Sequence, residues 1–476
     1  MSRTSIRTVP LRLTAVVLAV ALLGGCASFS SDGGFGKVEQ LARERTGQPP
    51  RLLRSDEAGQ AARKRVQDLL AATLTADAAV ELALLNHPGL QASYRELGIA
   101  EADLVATGRL RNPVFGFFNV SSSENYKIER TLMFDVMGLL TMPRRVAVQR
   151  TRFEQVQLQA AIDAVSVATE ARRAWTAAVA SRQLAQYAEQ VKDAADASAE
   201  LARRMAQAGN FSRLAQMREQ AFYADATAQL ARARHQAVAD RERLIRALGL
   251  WGADIGFTLP DRLPDLPKTP AEPRDAEKLA LEKRLDVQAS RQANASLAQS
   301  LGLTRVTRVI DGFELGYANL SEGGELRRNG YELSFEIPLF DWGSTKVARA
   351  EAQYMQSVQR SVQVAVEARS QVRESYSAYR TSYDLARHYR DEVVPLARRI
   401  SDEQLNRYNG MLLGTFELLA DAREQVRSVT SAVETLRDFW LADADLQTAL
   451  TVGPPAGATR GTTTASAAPA QAAAGH

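Results

Sequence analysis

"YELSFEIPLFDWGSTKVARAEAQ", Tyr331 to Gln353, changes character halfway along. Its first seven residues alternate strictly. Tyr331, Leu333, Phe335 and Ile337 fall on one side of an extended chain, and Glu332, Ser334 and Glu336 on the other. That period predicts a strand with one apolar face. Beyond Gly343 the alternation stops, and up to Gly410 there is no further glycine and only one proline, Pro395. The chain therefore passes from a one-sided strand directly into a very long helix.

The same transition occurs earlier. In "ERTLMFDV", Leu132, Phe134 and Val136 oppose Glu129, Thr131, Met133 and Asp135, and Arg144 to Ala208 then contains neither Gly nor Pro. At ~1.5 Å per residue that run approaches 100 Å. It is too polar to span a bilayer, and a soluble helix of such length needs packing along its whole length. Phe134 matches Phe335, Trp175 matches Tyr376 and Gly209 matches Gly410, all at an offset of 201, so the body is an internal duplication. "GLQAS" at Gly89 likewise resembles "DVQAS" at Asp286. "RALG" (Arg246 to Gly249) faces "TALT" (Thr448 to Thr451) at 202, which predicts one extra residue in the second copy after Gly410, with Gly414 where it is accommodated. Each copy reads as a helix, two short strands and a helical hairpin turning at a glycine. "VFGFFNVSS" and "FELGYANLS" supply the partner strands, and Pro395 predicts a kink in the second hairpin.

The resulting organisation is a signal peptide over 1–25, an N-terminal segment over 26–74 and repeat 1 over 75–256, with strands near 113–139, a hairpin near 144–250 and its tip at Gly209. A Pro-rich extended connector follows over 257–274. Repeat 2 covers 275–452, with strands near 312–340, a hairpin near 344–450 and its tip at Gly410 to Gly414. A low-complexity tail over 453–476 reads as disordered. The fold class is mainly α: two duplicated helical hairpins plus four strands.

The N-terminus has Arg3, Arg7 and Arg12, then the apolar run Leu13 to Leu23, then Leu23-Gly24-Gly25-Cys26. This is a signal peptide ending in a lipobox, with Cys26, the sole cysteine, as the lipidated residue. Ala27 in place of Asp favours export to the outer membrane. The formal charge of +4 owes three units to those arginines, so nothing points to nucleic acid. The histidines at 87, 235, 388 and 476 are isolated, no phosphate loop or nucleophile elbow is present, and neither a cofactor nor an enzyme activity is implied.

An apolar strand face opposite an acidic or hydroxylic one fits the wall of a membrane β-barrel. Four strands cannot close one, since about eight is the minimum, and open edges in lipid leave backbone groups unsatisfied. Several chains must then contribute to one barrel.

The chain at this point resembles the outer-membrane efflux protein (TolC) family, in its lipid-anchored branch serving resistance-nodulation-division pumps. The resemblance runs from about Thr75 to Leu450 and is carried by "ADAAVELALLNHPGLQAS", "IPLFDWGSTKVARAEAQ" and "YNGMLLGTFELLADAREQ". It implies a homotrimer with a twelve-strand barrel and a helical tunnel crossing the periplasm. It also implies an adaptor at the hairpin tips and an inner-membrane pump as partners. The chain would be a passive exit duct, tethered to the outer membrane, with its gate at the periplasmic end. Gly209 and Gly410 match the family's turn glycines. Glu417 matches the first of two gate acids three residues apart, whereas the second aligns with Ala420 and Asp421 follows one residue later. Arg407 and Arg423 flank these acids as candidate latch partners. A periplasmic adaptor lipoprotein is the competing reading, but it normally has one hairpin between β-rich halves. The substrate, whether metal cations, drugs or other solutes, stays open.

Overall fold

The computed structural model describes residues 28–453, apart from 124, 310, 311, 324 and 413 and the side chains of 415–417 and 419–422. Helices α1 (Phe35–Thr46), α2 (Asp56–Ala71), α3 (Ala76–Asn86) and α4 (Pro88–Thr107) lead to strands β1 (Val114–Ser121) and β2 (Tyr126–Asp135). The pair α5 (Val136–Gln207) and α6 (Arg213–Leu248) follows. The second half has α7 (Ala276–Lys283), α8 (Leu285–Thr307), β3 (Phe313–Glu322), β4 (Arg328–Phe335) and α9 (Ser344–His388). A π-helical turn (Tyr389–Val393) then separates α9 from α10 (Val394–Asn409), and α11 (Thr415–Thr451) closes the fold.

The strands form one antiparallel sheet in the order β1-β2-β3-β4. Its register pairs Phe115 with Leu132, Leu132 with Tyr317, and Tyr317 with Tyr331, so these share a face. Thr131, Asp135, Glu314 and Glu332 occupy the other, which is the division that the alternation predicts. β1 and β4 are the two open edges.

The helices stand side by side, with α5 between α6 and α11, and with α9 and α10 against α11. α6 meets the start of α4 end to end, where the Asn86 amide donates to the Gly249 carbonyl at 2.8 Å. α11 meets α8 in the same way, but there the fully buried Arg284 donates to the Ala449 carbonyl at 3.2 Å and pairs with Asp286 at 2.6 Å. Each repeat is thus one long helix beside two stacked shorter ones. The main core lies at the waist, where Trp175 packs among Leu82, Leu244 and Leu248 and donates its Nε1–H to the Leu74 carbonyl at 2.8 Å.

The Pro-rich connector crosses this waist with little backbone pairing of its own, because its prolines lack N–H groups. Side chains from the helices hold it instead. Arg241 donates to the Ile255 and Phe257 carbonyls at 2.9 and 2.8 Å, Arg182 to Leu259 at 2.5 Å and Trp440 to Pro264 at 3.1 Å. Tyr383 reaches Lys268 at 2.8 Å, and the Tyr379 hydroxyl accepts from the Ala271 N–H, also at 2.8 Å.

Two boundaries differ from the sequence expectation. β2 stops at Asp135, whose carboxylate caps the next helix through the Gly138 N–H at 2.6 Å, so α5 begins at Val136 rather than near 144 and carries Pro143 inside it. β4 stops at Phe335 rather than near 340. There Asp341 caps the following helix, accepting from the Gly343 and Ser344 N–H groups at 2.9 and 3.1 Å.

Candidate functional site

The hairpin tips are built differently. In the first, α5 ends with the Asn210 N–H bonded to the Met205 carbonyl at 2.9 Å and with Gly209 in the left-handed region at φ 79°. Glycine adopts that conformation without steric penalty. The Ser212 hydroxyl then caps α6 by accepting from the Ala215 N–H at 3.1 Å. In the second, the Leu412 N–H bonds to the Arg407 carbonyl at 2.9 Å, and the left-handed residue is Met411 at φ 57°.

Gly410 is therefore not the counterpart of Gly209 in the turn. It keeps a right-handed φ of −79°, one residue before the left-handed position. The offset between copies is already 202 here, so the extra residue lies before the tip, not after Gly410 or at Gly414. It falls in the π turn, which takes up one additional residue within a helix. Pro395 supplies the physical reason, since it has no N–H for the carbonyl four residues back and its ring crowds that carbonyl. Gly414 begins the last helix, accepting from the Leu418 N–H at 3.3 Å.

Glu417 and Asp421 lie on α11, but their side chains fall outside the described residues. Cys26 and the lipobox residues Leu23, Gly24 and Gly25 also lie outside them. Among the described residues, Ser30 ties this end of the chain to the helices, its N–H and hydroxyl donating to Glu101 at 2.6 and 2.5 Å.

Of the flanking arginines, Arg423 is the informative one. It bridges the two hairpins, placing Nη2 2.5 Å from Glu219 Oε1 on α6 and stacking 4.5 Å from the Phe222 ring centroid. Glu219 is fully buried, and Ser198 of α5 donates to its other oxygen at 2.8 Å. Three helices of two repeats thus converge on one carboxylate. Arg407 instead makes an exposed pair with Glu403 of its own helix at 3.0 Å. Sequence reasoning missed Glu219 and Ser198. The available signal is their position: Glu219 falls on the stripe with Phe222 and Ala226, and Ser198 on that of Val191, Ala195 and Ala202, where apolar residues are the rule.

The tips also expose apolar surface. Met411 is 94% and Leu412 81% exposed, beside Leu405 on α10. Among the described residues no helix is long and apolar enough to cross a membrane, and no group of His, Cys, Asp or Glu is poised for a metal ion.

Compared with solved structures, the chain resembles the Campylobacter jejuni CmeC outer membrane channel at 14% identity, over 89% of this chain and 92% of that one, with a TM-score of 0.68. It resembles the outer-membrane channel OprN at 17% identity over 82% and 92%, with a TM-score of 0.67. CusC, described for transmembrane channel formation, matches at 14% over 79% and 92%, with a TM-score of 0.66. The chain has the outer-membrane channel fold. No family model matches it, and no curated protein does. In this chain both hairpins follow strand pairs of one sheet.

Proposed function

We propose that the protein is the outer-membrane exit duct of a tripartite efflux system, passively conducting what an inner-membrane pump expels through a periplasmic adaptor. One observation carries the reading most. A four-stranded sheet with one apolar face and two open edges continues directly into polar helices, the longest of 72 residues. Such a sheet is stable in lipid only when closed. Because β1 and β4 run in opposite directions, β4 of one copy can pair with β1 of the next in the antiparallel sense. Three copies give twelve strands. The same ring places the outer flank of α10 against a neighbour's α6.

Cys26 carries the lipid tether, with Leu23, Gly24 and Gly25 read by the signal peptidase. The tips at Gly209, Gly410 and Gly414 form the gate end, where Glu417 and Asp421 supply converging carboxylates that attract cations. Arg423 on Glu219 is the latch holding the second hairpin to the first. Arg407 contributes little to it.

Purified protein in planar bilayers tests the reading. Cation-preferring single-channel conductance is expected, with the preference weakened in Glu417→Gln. A complete absence of conductance, even with Arg423 removed to loosen the tip, would reject the duct.

A further inference from the structure

We propose that the outward face of the sheet binds a phosphate group of an outer-leaflet membrane lipid at Arg130, Asn319 and Asn329. The inference rests on the barrel reading above, which makes this face the one toward lipid.

The β-ladder orders that face in rows. Phe313 and Phe335 lie in the lowest, nearest the helices, then Phe134, Leu315 and Leu333, then Phe115, Leu132, Tyr317 and Tyr331. The next row breaks the pattern: Phe117, Arg130, Asn319 and Asn329 stand in register across all four strands. Arg130 is the sole ionised side chain on this face of the described strand residues, because every strand Asp, Glu and Lys falls on the opposite face. An unpaired cation on a lipid-facing wall costs ~2–4 kcal/mol at the midplane and ~0–1 kcal/mol near an interface. Its height fits the interface. Three rows of two residues place it ~20 Å along the strand from the first row, or ~15 Å above it at the usual tilt. Leu139, Leu140, Phe340 and Trp342, all exposed, extend the apolar surface below. The row lies toward the β1–β2 turn, away from the helices, which places it in the outer leaflet.

The row is also built as a donor array. Arg130 Nη1 donates to Asn319 Oδ1 at 3.3 Å, Asn319 Nδ2 donates to Asn329 Oδ1 at 2.7 Å, and the guanidinium lies 6.0 Å from the Phe117 ring centroid. Those contacts orient the guanidinium while using one of its five donors among the described residues. A planar fork next to side-chain amides, with no acid on the same face, matches a phosphate monoester or diester. In the outer leaflet of a bacterial outer membrane, phosphorylated acylated glucosamine lipid offers that group.

The test uses full-length protein in phosphatidylcholine nanodiscs, titrated with bisphosphorylated lipid A, dephosphorylated lipid A or inorganic phosphate, with retained lipid counted by native mass spectrometry. The phosphorylated lipid should be retained about tenfold better than the dephosphorylated one. Arg130→Gln should erase that preference, and Arg130→Lys, which keeps the charge and guards against a folding artefact, should keep part of it. Equal retention by wild type and Arg130→Gln would reduce the row to cross-strand scaffolding. Competition by inorganic phosphate as strong as by lipid would make it a free-anion site. Conductance measured on the same preparations separates the two readings. A conducting channel without phosphate preference overturns the lipid site alone, and a chain that never inserts overturns both.

Discussion

The two hairpins repeat one pattern of residues and meet different fates. In the first, α5 runs unbroken for 72 residues and still buries Val191, Ala195, Ser198 and Ala202 near its tip. In the second, the matching arm is divided by the π turn, and α10 beyond it buries no side chain. Val393, Ala397, Ile400 and Gln404 occupy the corresponding stripe at an offset of 202, yet Ile400 is exposed where Ser198 is buried. The pattern makes both helices. Position in the wall decides burial, because α5 is flanked on both sides and α10, among the described residues, packs chiefly on α11. The first hairpin is thus a fixed stave and the second a jointed arm, held to its neighbour by Arg423.

Three substitution pairs and one single change can break or sharpen that contrast. Trp175→Ala should destabilise the chain by ~3–5 kcal/mol, because it empties a buried site and orphans the Leu74 carbonyl, whereas the half-buried counterpart Tyr376→Ala should lose about half as much. Equal losses in chemical denaturation would remove the distinction at the waist. At the lower end, Arg423→Ala leaves Glu219 buried without its cation and should lose ~3–5 kcal/mol, with a leakier channel. Arg407→Ala should stay within ~1 kcal/mol, as exposed pairs do.

The turns should respond with opposite signs. Gly209→Ala forces a side chain into a left-handed conformation and should destabilise by ~1 kcal/mol, while Met411→Gly relieves one and should stabilise by up to that amount. Melting curves of the two variants moving the same way would refute the assigned turn geometry.

The smallest effect concerns α11 and its counterpart α6. Asp443 occupies the place held by Arg241 in the first repeat, and burial holds its carboxyl above the usual range. A raised carboxylate means the folded chain binds that proton more readily than the unfolded chain. Stability should therefore fall as pH rises from the ordinary carboxylate value through the raised one. Asp443→Asn should flatten that part of the stability profile and raise the neutral-pH melting temperature by a few degrees. An unchanged slope would assign the pH dependence elsewhere, Asp445 being the next candidate because burial raises it too.

Much of this was legible in the residues. The alternation in Tyr331 to Ile337 and Glu129 to Val136 placed the strand faces, and the repeat spacing placed the hairpins. What escaped had local causes. The uninterrupted run from Arg144 marked too late a start for a helix that in fact begins at Asp135's cap. The change of offset from 201 to 202 shows that a residue is inserted but not where, because the π turn absorbs it within a continuous helical run. Glu219 was hidden because a charged residue on a helix is ordinarily read as solvated, and only the third helix shows what it meets.

The most direct test bridges the hairpins chemically. Cysteines introduced at Glu219 and Arg423 would be joined by a bifunctional maleimide, and conductance compared with that of a second protein bridged at Ser401 and Gln425, whose side chains lie 3.3 Å apart within the second hairpin. If the second hairpin swings as a unit, the 219–423 bridge should hold the channel shut and the 401–425 bridge should leave opening intact. Normal opening with the hairpins tied together would contradict the account.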